Sequence, residues 1–169
     1  NANNVIQGET SNTGGLGYNA IGIINQAGGL INANVAGLIL NVDPSTAGLT
    51  NMSTMEASDG GLLQLNGNGG GDFNNAGGLI QALGGSEVQL LNGVGINAGT
   101  PTTSGNGVIR NLNTATLNGV TNTGTFVANN NTTTTLVGTI TDTGTITINS
   151  TGNFTDLVVS GAVTLTGGS

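Results

Sequence analysis

Leucine, isoleucine and valine recur along this chain at every second position, in short runs closed off by glycine or asparagine. The runs include Leu38 to Leu40, Leu63-Gln64-Leu65, Val88-Gln89-Leu90, Ile146-Thr147-Ile148 and Val163-Thr164-Leu165. A period of two is the spacing of a strand with one face buried and the other wet. Helices are excluded separately: 32 of the 169 residues are glycine, and each glycine inside a helix costs about 1 kcal/mol relative to alanine. The pattern therefore predicts strands joined by tight turns. Asn66-Gly67, Asn92-Gly93, Asn106-Gly107 and Asn118-Gly119 mark bends, because both residue types tolerate the positive φ that a sharp bend demands.

Asn-Gly between alternating runs is also the signature of a hairpin, and repetition is what separates a meander from a coil. Gly28-Gly29-Leu30-Ile31-Asn32-Ala33 returns as Gly77-Gly78-Leu79-Ile80-Gln81-Ala82, 49 positions later, with a worn copy, Ser53-Thr54-Met55-Glu56-Ala57, between them. Ala33, Ala57 and Ala82 are 24 and 25 apart, and Leu40, Leu65 and Leu90 are 25 and 25 apart. A coiled chain passes the same corner once per turn, whereas a meander has no reason to. Later the step shortens. Thr121 to Ala128 matches Thr141 to Ile148 at 20 positions, and Leu117-Asn118-Gly119 matches Leu136-Val137-Gly138 at 19. The coil is thus expected to narrow along its length. Residues 97–107 are the least periodic and read as a protruding loop, which interrupts a single solenoid spanning 1–169 rather than dividing domains.

Stacking these coils in register gives an all-β fold, a right-handed parallel β-helix (β-solenoid) of roughly seven or eight coils, each advancing about 4.8 Å. Ile31, Met55 and Ile80 should fill one interior ladder and Leu40, Leu65 and Leu90 another. Ala33, Ala57 and Ala82 should sit where a bend leaves little room. Asparagines at successive corners can stack amide on amide, satisfying groups that a tight turn would orphan.

Composition changes the picture by exclusion. Only 5% of residues are charged, against about 25% in a typical soluble domain, so solubility rests on amides and hydroxyls. Disorder is the alternative for so much Gly, Asn and Thr, but the aliphatic alternation argues against it. Arg110 is the only cation, histidine is absent and the formal net charge is −7, which excludes a nucleic-acid surface built from clustered Lys and Arg. Without cysteine, stability must come from backbone pairing and burial. No run approaches the ~18 apolar residues of a membrane span, and Asn1-Ala2-Asn3-Asn4 lacks the basic and apolar regions of a signal peptide.

Asn75-Ala76-Gly77-Gly78-Leu79-Ile80-Gln81-Ala82 followed by Val88-Gln89-Leu90, together with Asn122-Thr123-Gly124-Thr125-Phe126-Val127-Ala128, resembles the repeats of filamentous haemagglutinin-like and autotransporter-like bacterial surface proteins. The resemblance covers most of the chain and implies a right-handed parallel β-helix, export across the bacterial envelope, and a role in adhesion, surface coating or fibre formation. The chain also resembles one unit of the tandem arrays of giant Asn- and Thr-rich surface proteins. There, a closing Val163-Thr164-Leu165-Thr166-Gly167-Gly168 would lead into a following unit's Asn3-Asn4-Val5-Ile6-Gln7-Gly8.

Candidate chemistry is sparse. The acids are Glu9, Asp43, Glu56, Asp59, Asp72, Glu87, Asp142 and Asp156. Only Glu56 and Asp59 are neighbours, with Glu87 about one coil on, so the only spacing open to a carboxylate pair is theirs. Solvated acids that keep a rod soluble are the plainer reading, and no catalytic, cofactor-binding or metal-ligating residue is assigned. Gly67 to Phe73 resembles one calcium-binding nonapeptide, but that motif works in tandem copies. Thr139-Ile140-Thr141 and Thr145-Ile146-Thr147 are too few for an ice-binding face. Tyr18, Phe73, Phe126 and Phe154 suit core or turn filling better than sugar stacking. The expectation is a non-enzymatic structural segment of an extracellular fibre or adhesin on a bacterial cell surface. Its partners would be copies of itself, end to end or as adjacent repeats of one chain. The alternative is a carbohydrate-binding adhesin module whose groove, flanked by 97–107, would take surface glycans.

Overall fold

The computed structural model describes residues 3–10 and 14–167. Asn1, Ala2, Gly168 and Ser169, which belong to the sequence readings of the chain's two ends, lie outside the described residues, as do 11–13. Among the described residues there is no helix. The early strands are β1 (Val5–Gln7), β2 (Ile23–Asn25), β3 (Leu30–Ala33), β4 (Ile39–Val42), β5 (Leu49–Asn51), β6 (Thr54–Ala57), β7 (Leu62–Asn66), β8 (Phe73–Asn74), β9 (Leu79–Ala82) and β10 (Glu87–Leu91). There follow β11 (Val94–Asn97), β12 (Thr100–Thr103), β13 (Val108–Asn111), β14 (Thr114–Asn118), β15 (Thr121–Asn122), β16 (Thr125–Ala128), β17 (Thr133–Asp142), β18 (Thr145–Ile148) and β19 (Asp156–Gly167).

Every strand pairing is parallel and joins one coil to the next. The chain is a parallel β-solenoid with three faces and about seven turns. Strands β1, β3, β6, β9 and β12 stack as the first face; β4, β7, β10, β13, β16 and β18 form the second; β2, β5, β8, β11, β14 and β17 form the third. Because successive side chains on a strand point to opposite sides, each rung sends alternate residues inward, and register stacks them into columns.

The interior column Ile6, Ile31, Met55, Ile80, Pro101 runs up the first face, with Ile31, Met55 and Ile80 all at most 2% exposed. Ala33, Ala57 and Ala82 are in register and fully buried at the bend. The aliphatic ladder of the second face differs from its sequence reading. Leu65 and Leu90 are partners, but Val42 occupies their column in the earlier coil, while Leu40 stacks on Leu63 and Val88. The corner between Ala33 and Ile39 carries one residue more than the corner between Ala57 and Leu62. That extra residue moves Leu40 out of the interval counted along the sequence. All of these side chains are buried nonetheless, because β4 alternates and offers two inward positions.

Residues 97–107 are a second correction. They do not form a protruding loop: Thr100–Thr103 is β12, paired along its whole length with β9, and Pro101 is buried over Ile80. What remains outside the rungs is a two-residue corner at Ala98-Gly99 and an exposed turn from Ser104 to Asn106. Composition concealed the strand, since Thr100 to Thr103 carries no aliphatic residue and its single inward filler is a proline.

The coil shortens as the repeat spacing predicts. On the second face the register advances from Leu63 to Val88, Ile109, Phe126 and Ile146, which are steps of 25, 21, 17 and 20 residues. Corners supply the contraction. Between the third and first faces the turn spans 75–78 in one coil, 98–99 in the next and 119–120 in the next. In β17 the strand itself bends there at Gly138, whose φ is 69°. Thr121 and Thr123 donate their N–H groups to Gly99 and Pro101, both at 3.0 Å, so β15 lies over β12 and extends the first face.

Candidate functional site

Five carboxylates can be followed to their partners, and each accepts from a structural donor. Glu56 projects outward from β6 and accepts from Gln81 Nε2 at 2.6 Å, one coil on. Asp59, in the corner after β6, accepts from Ser58 Oγ at 3.3 Å. Glu87 begins β10 on a different face; its Oε2 is 3.1 Å from Arg110 Nε and its Oε1 accepts from Gln89 Nε2 at 2.8 Å. The sequence neighbours Glu56 and Glu87 are therefore held on separate faces, and no paired-carboxylate geometry forms between them. Asp72 accepts from the Gly95 N–H at 3.1 Å and from Asn97 Nδ2 at 3.3 Å. Buried Asp43 accepts from the Gly69 N–H at 3.0 Å. Among the described residues no three His, Cys, Asp or Glu side chains converge on a possible metal position.

The polar surface is organised as ladders. Asn41, Asn66 and Asn92 are linked by amide bonds of 3.3 and 2.9 Å. Gln64 accepts no charge partner but receives nothing less regular: its Nε2 donates to Gln89 Oε1 at 2.8 Å, and Asn118 Nδ2 donates to Asn97 Oδ1 at 2.9 Å. Arg110 belongs to the same system, since it touches Glu87 below and donates to Asn129 Oδ1 at 3.0 Å above. The chain's one Lys or Arg side chain thus braces neighbouring coils. An amide can donate and accept at once, so a translation by one coil presents each with its complement. Recurrence of Gln64 and Gln89, or of Glu56 and Gln81, at 25 positions was the sequence signal for these ladders.

The buried corner between the third and first faces holds a third amide ladder, Asn25, Asn51 and Asn75, as expected of asparagines at successive bends. It ends beneath Gly99, where a side chain would collide with the Asn75 carbonyl and amide. The Asn-Gly bends divide in two. Asn92-Gly93 and Gly119 do adopt positive φ, at 55°, 78° and 63°. Gly67 and Gly107 are needed for space instead: a Cβ at Gly67 would lie 2.6 Å from the Val94 nitrogen, and one at Gly107 would strike the Ala82 carbonyl.

The Thr-x-Thr pairs named from sequence are parted, because Thr139 and Thr141 lie on the extended first face while Thr145 and Thr147 lie on the second. A different set comes together. Thr100 and Thr102, Thr121 and Thr123, and Thr141 and Thr143 occupy three successive rungs of the first face. Hydroxyls bond along it, Thr123 to Thr102 at 2.8 Å and Thr166 to Thr141 at 3.0 Å. Counting along the sequence missed this row because its members are one coil apart. Phe73 and Phe126 are buried core fillers, whereas Tyr18 and Phe154 are exposed.

Two cavities of about 290 Å³ lie at opposite ends of the rod. One is bounded by Ile6, Ile23, Ile24 and Leu30, the other by Ile146, Ile148, Leu157 and Leu165. Both are interior columns left uncovered. Ile6, stacked on buried Ile31, is 43% exposed, and Leu165, stacked on buried Ile140, is 64% exposed. No helix among the described residues is long and apolar enough to cross a membrane. Comparison with known protein families, curated proteins and solved structures finds no match to this chain, so its architecture and surfaces carry the functional reading.

Proposed function

We propose that this chain is a structural, non-enzymatic β-solenoid segment of an extracellular fibre or adhesin on a bacterial cell surface. One observation carries the reading: the apolar columns run uninterrupted through the rod and reach its two ends uncovered. Such ends favour a further rung, provided by an adjacent repeat of the same chain or by another copy, because an open strand edge with apolar residues beside it is a template for pairing. Along the rod, the ladder bonds already occupy the polar groups that an active site would need free. The carbohydrate-binding alternative relied on a groove beside 97–107, and those residues are built into the stack.

Electron microscopy of the purified chain is the test, read together with sedimentation over a range of concentrations. Rods that lengthen with concentration, and that are lost in a Leu165→Asp variant, support the proposal. Monodisperse monomers at every concentration would overturn self-association. Protease accessibility on intact cells of the source organism tests the surface location.

The stacked threonines favour a second reading, a hydroxyl face that orders water at an ice surface. It predicts thermal hysteresis that Thr123→Lys abolishes; no hysteresis in the unaltered protein removes it.

A further inference from the structure

Five Asn-Gly pairs stand in this chain, Asn68-Gly69 joining the four already named. Such a pair is chemically fragile. The glycine nitrogen, once it gives up its proton, attacks Cγ of the asparagine; an N–C bond forms, the Cγ–Nδ2 bond breaks, and ammonia leaves. Water then opens the resulting succinimide to aspartate or isoaspartate, so the net change is water in and ammonia out. The reaction needs a glycine N–H free to ionise and a carboxamide free to swing over it.

At three pairs the solenoid withholds both. Gly67, Gly93 and Gly119 donate their N–H groups across coils to Leu91, Thr114 and Val137, each at 3.0 Å. The carboxamides of Asn66, Asn92 and Asn118 are fixed in the surface ladders. At Asn68 the side chain is exposed, but the Gly69 N–H donates to the carboxylate of buried Asp43. A negative charge at 3.0 Å opposes loss of that proton.

Asn106 has neither restraint. Its side chain is exposed and makes no hydrogen bond among the described residues, and the Gly107 N–H donates only to Ser104, inside the same turn, at 3.0 Å. The coil above explains the exposure. It takes the same corner through Thr123-Gly124, and Gly124 packs directly on the Thr102 and Thr103 backbone, so no turn stacks over 104–107.

We propose that Asn106 is this protein's site of spontaneous deamidation, and that the interlocked coils protect Asn66, Asn68, Asn92 and Asn118. The product adds one negative charge in a turn that carries no other coil, so the rod survives the change. This assignment is independent of the fibre reading.

Incubating the folded protein in mildly alkaline buffer and mapping its peptides by mass spectrometry tests it. Asn106 should convert about tenfold or more faster than any other Asn-Gly pair, since reaction at those waits on local opening. In urea the five should converge to similar rates. Asn106→Asp should leave the thermal midpoint unchanged. Equal rates at Asn106 and at Asn66, Asn92 or Asn118 in the folded protein overturn the proposal. So does an Asn106 that persists when folded yet reacts readily in urea.

Discussion

Asn51 donates its side-chain Nδ2–H to Oδ1 of Asn75 across 2.7 Å, and both side chains are wholly buried although 24 residues separate them. The same nitrogen also donates to the Ser53 and Leu79 carbonyls, both at 3.1 Å, while Asn51 Oδ1 accepts from Asn25 at 2.7 Å. One side chain therefore ties three coils together and satisfies backbone groups at the bend.

Asn51→Leu should destabilise the protein by roughly 3 kcal/mol or more, since it orphans several buried polar groups at about 1–3 kcal/mol each. Chemical denaturation would show a lowered midpoint. A loss below about 0.5 kcal/mol would mean that the buried amide ladder is not a source of stability.

Gly99 closes the Asn25, Asn51, Asn75 ladder, with φ at 72° and the Asn75 carbonyl against the place of a Cβ. Gly37 has a similar φ, 70°, but open space around it. Gly37→Ala should cost only the left-handed strain of about 1–2 kcal/mol, and Gly99→Ala distinctly more. Thermal unfolding of the two variants side by side checks the order.

Phe73 fills the interior beside Leu49 and Ile96, its partners in the coils before and after. Phe73→Ala should cost about 3–5 kcal/mol, measurable by denaturant titration. Removing exposed Phe154 (89% exposed) should change stability little.

The Arg110–Glu87 pair is only partly shielded, with side chains 27% and 21% exposed. Arg110→Met should therefore lower stability by about 1 kcal/mol or less, and high salt should shrink the difference. A loss of several kcal/mol that salt leaves intact would assign Arg110 a role beyond bracing neighbouring coils.

Much of this was legible along the chain. The spacing of Ile31, Met55 and Ile80, and of the three alanines, gave true register partners, because one coil of nearly constant length separates them. The match of Thr121 to Ala128 with Thr141 to Ile148 is likewise reproduced residue for residue in the pairing of β15 and β16 with β17 and β18. Leu40 was misplaced because one extra corner residue escapes any count made at a fixed step. Strand β12 was missed because its column is filled by proline among threonines. The five Asn-Gly pairs look alike as dipeptides, and only the coil stacked above or below makes them different.

Alternation and repetition by themselves determined that this protein is a β-solenoid with a shortening step, because period two and a recurring corner are local properties written into each segment. The tertiary structure decided which residues share a rung, which amides find one another and which apolar positions stay open at the ends. Those depend on corner length, and a single inserted or missing residue at a bend displaces every contact between coils while leaving the local pattern unchanged.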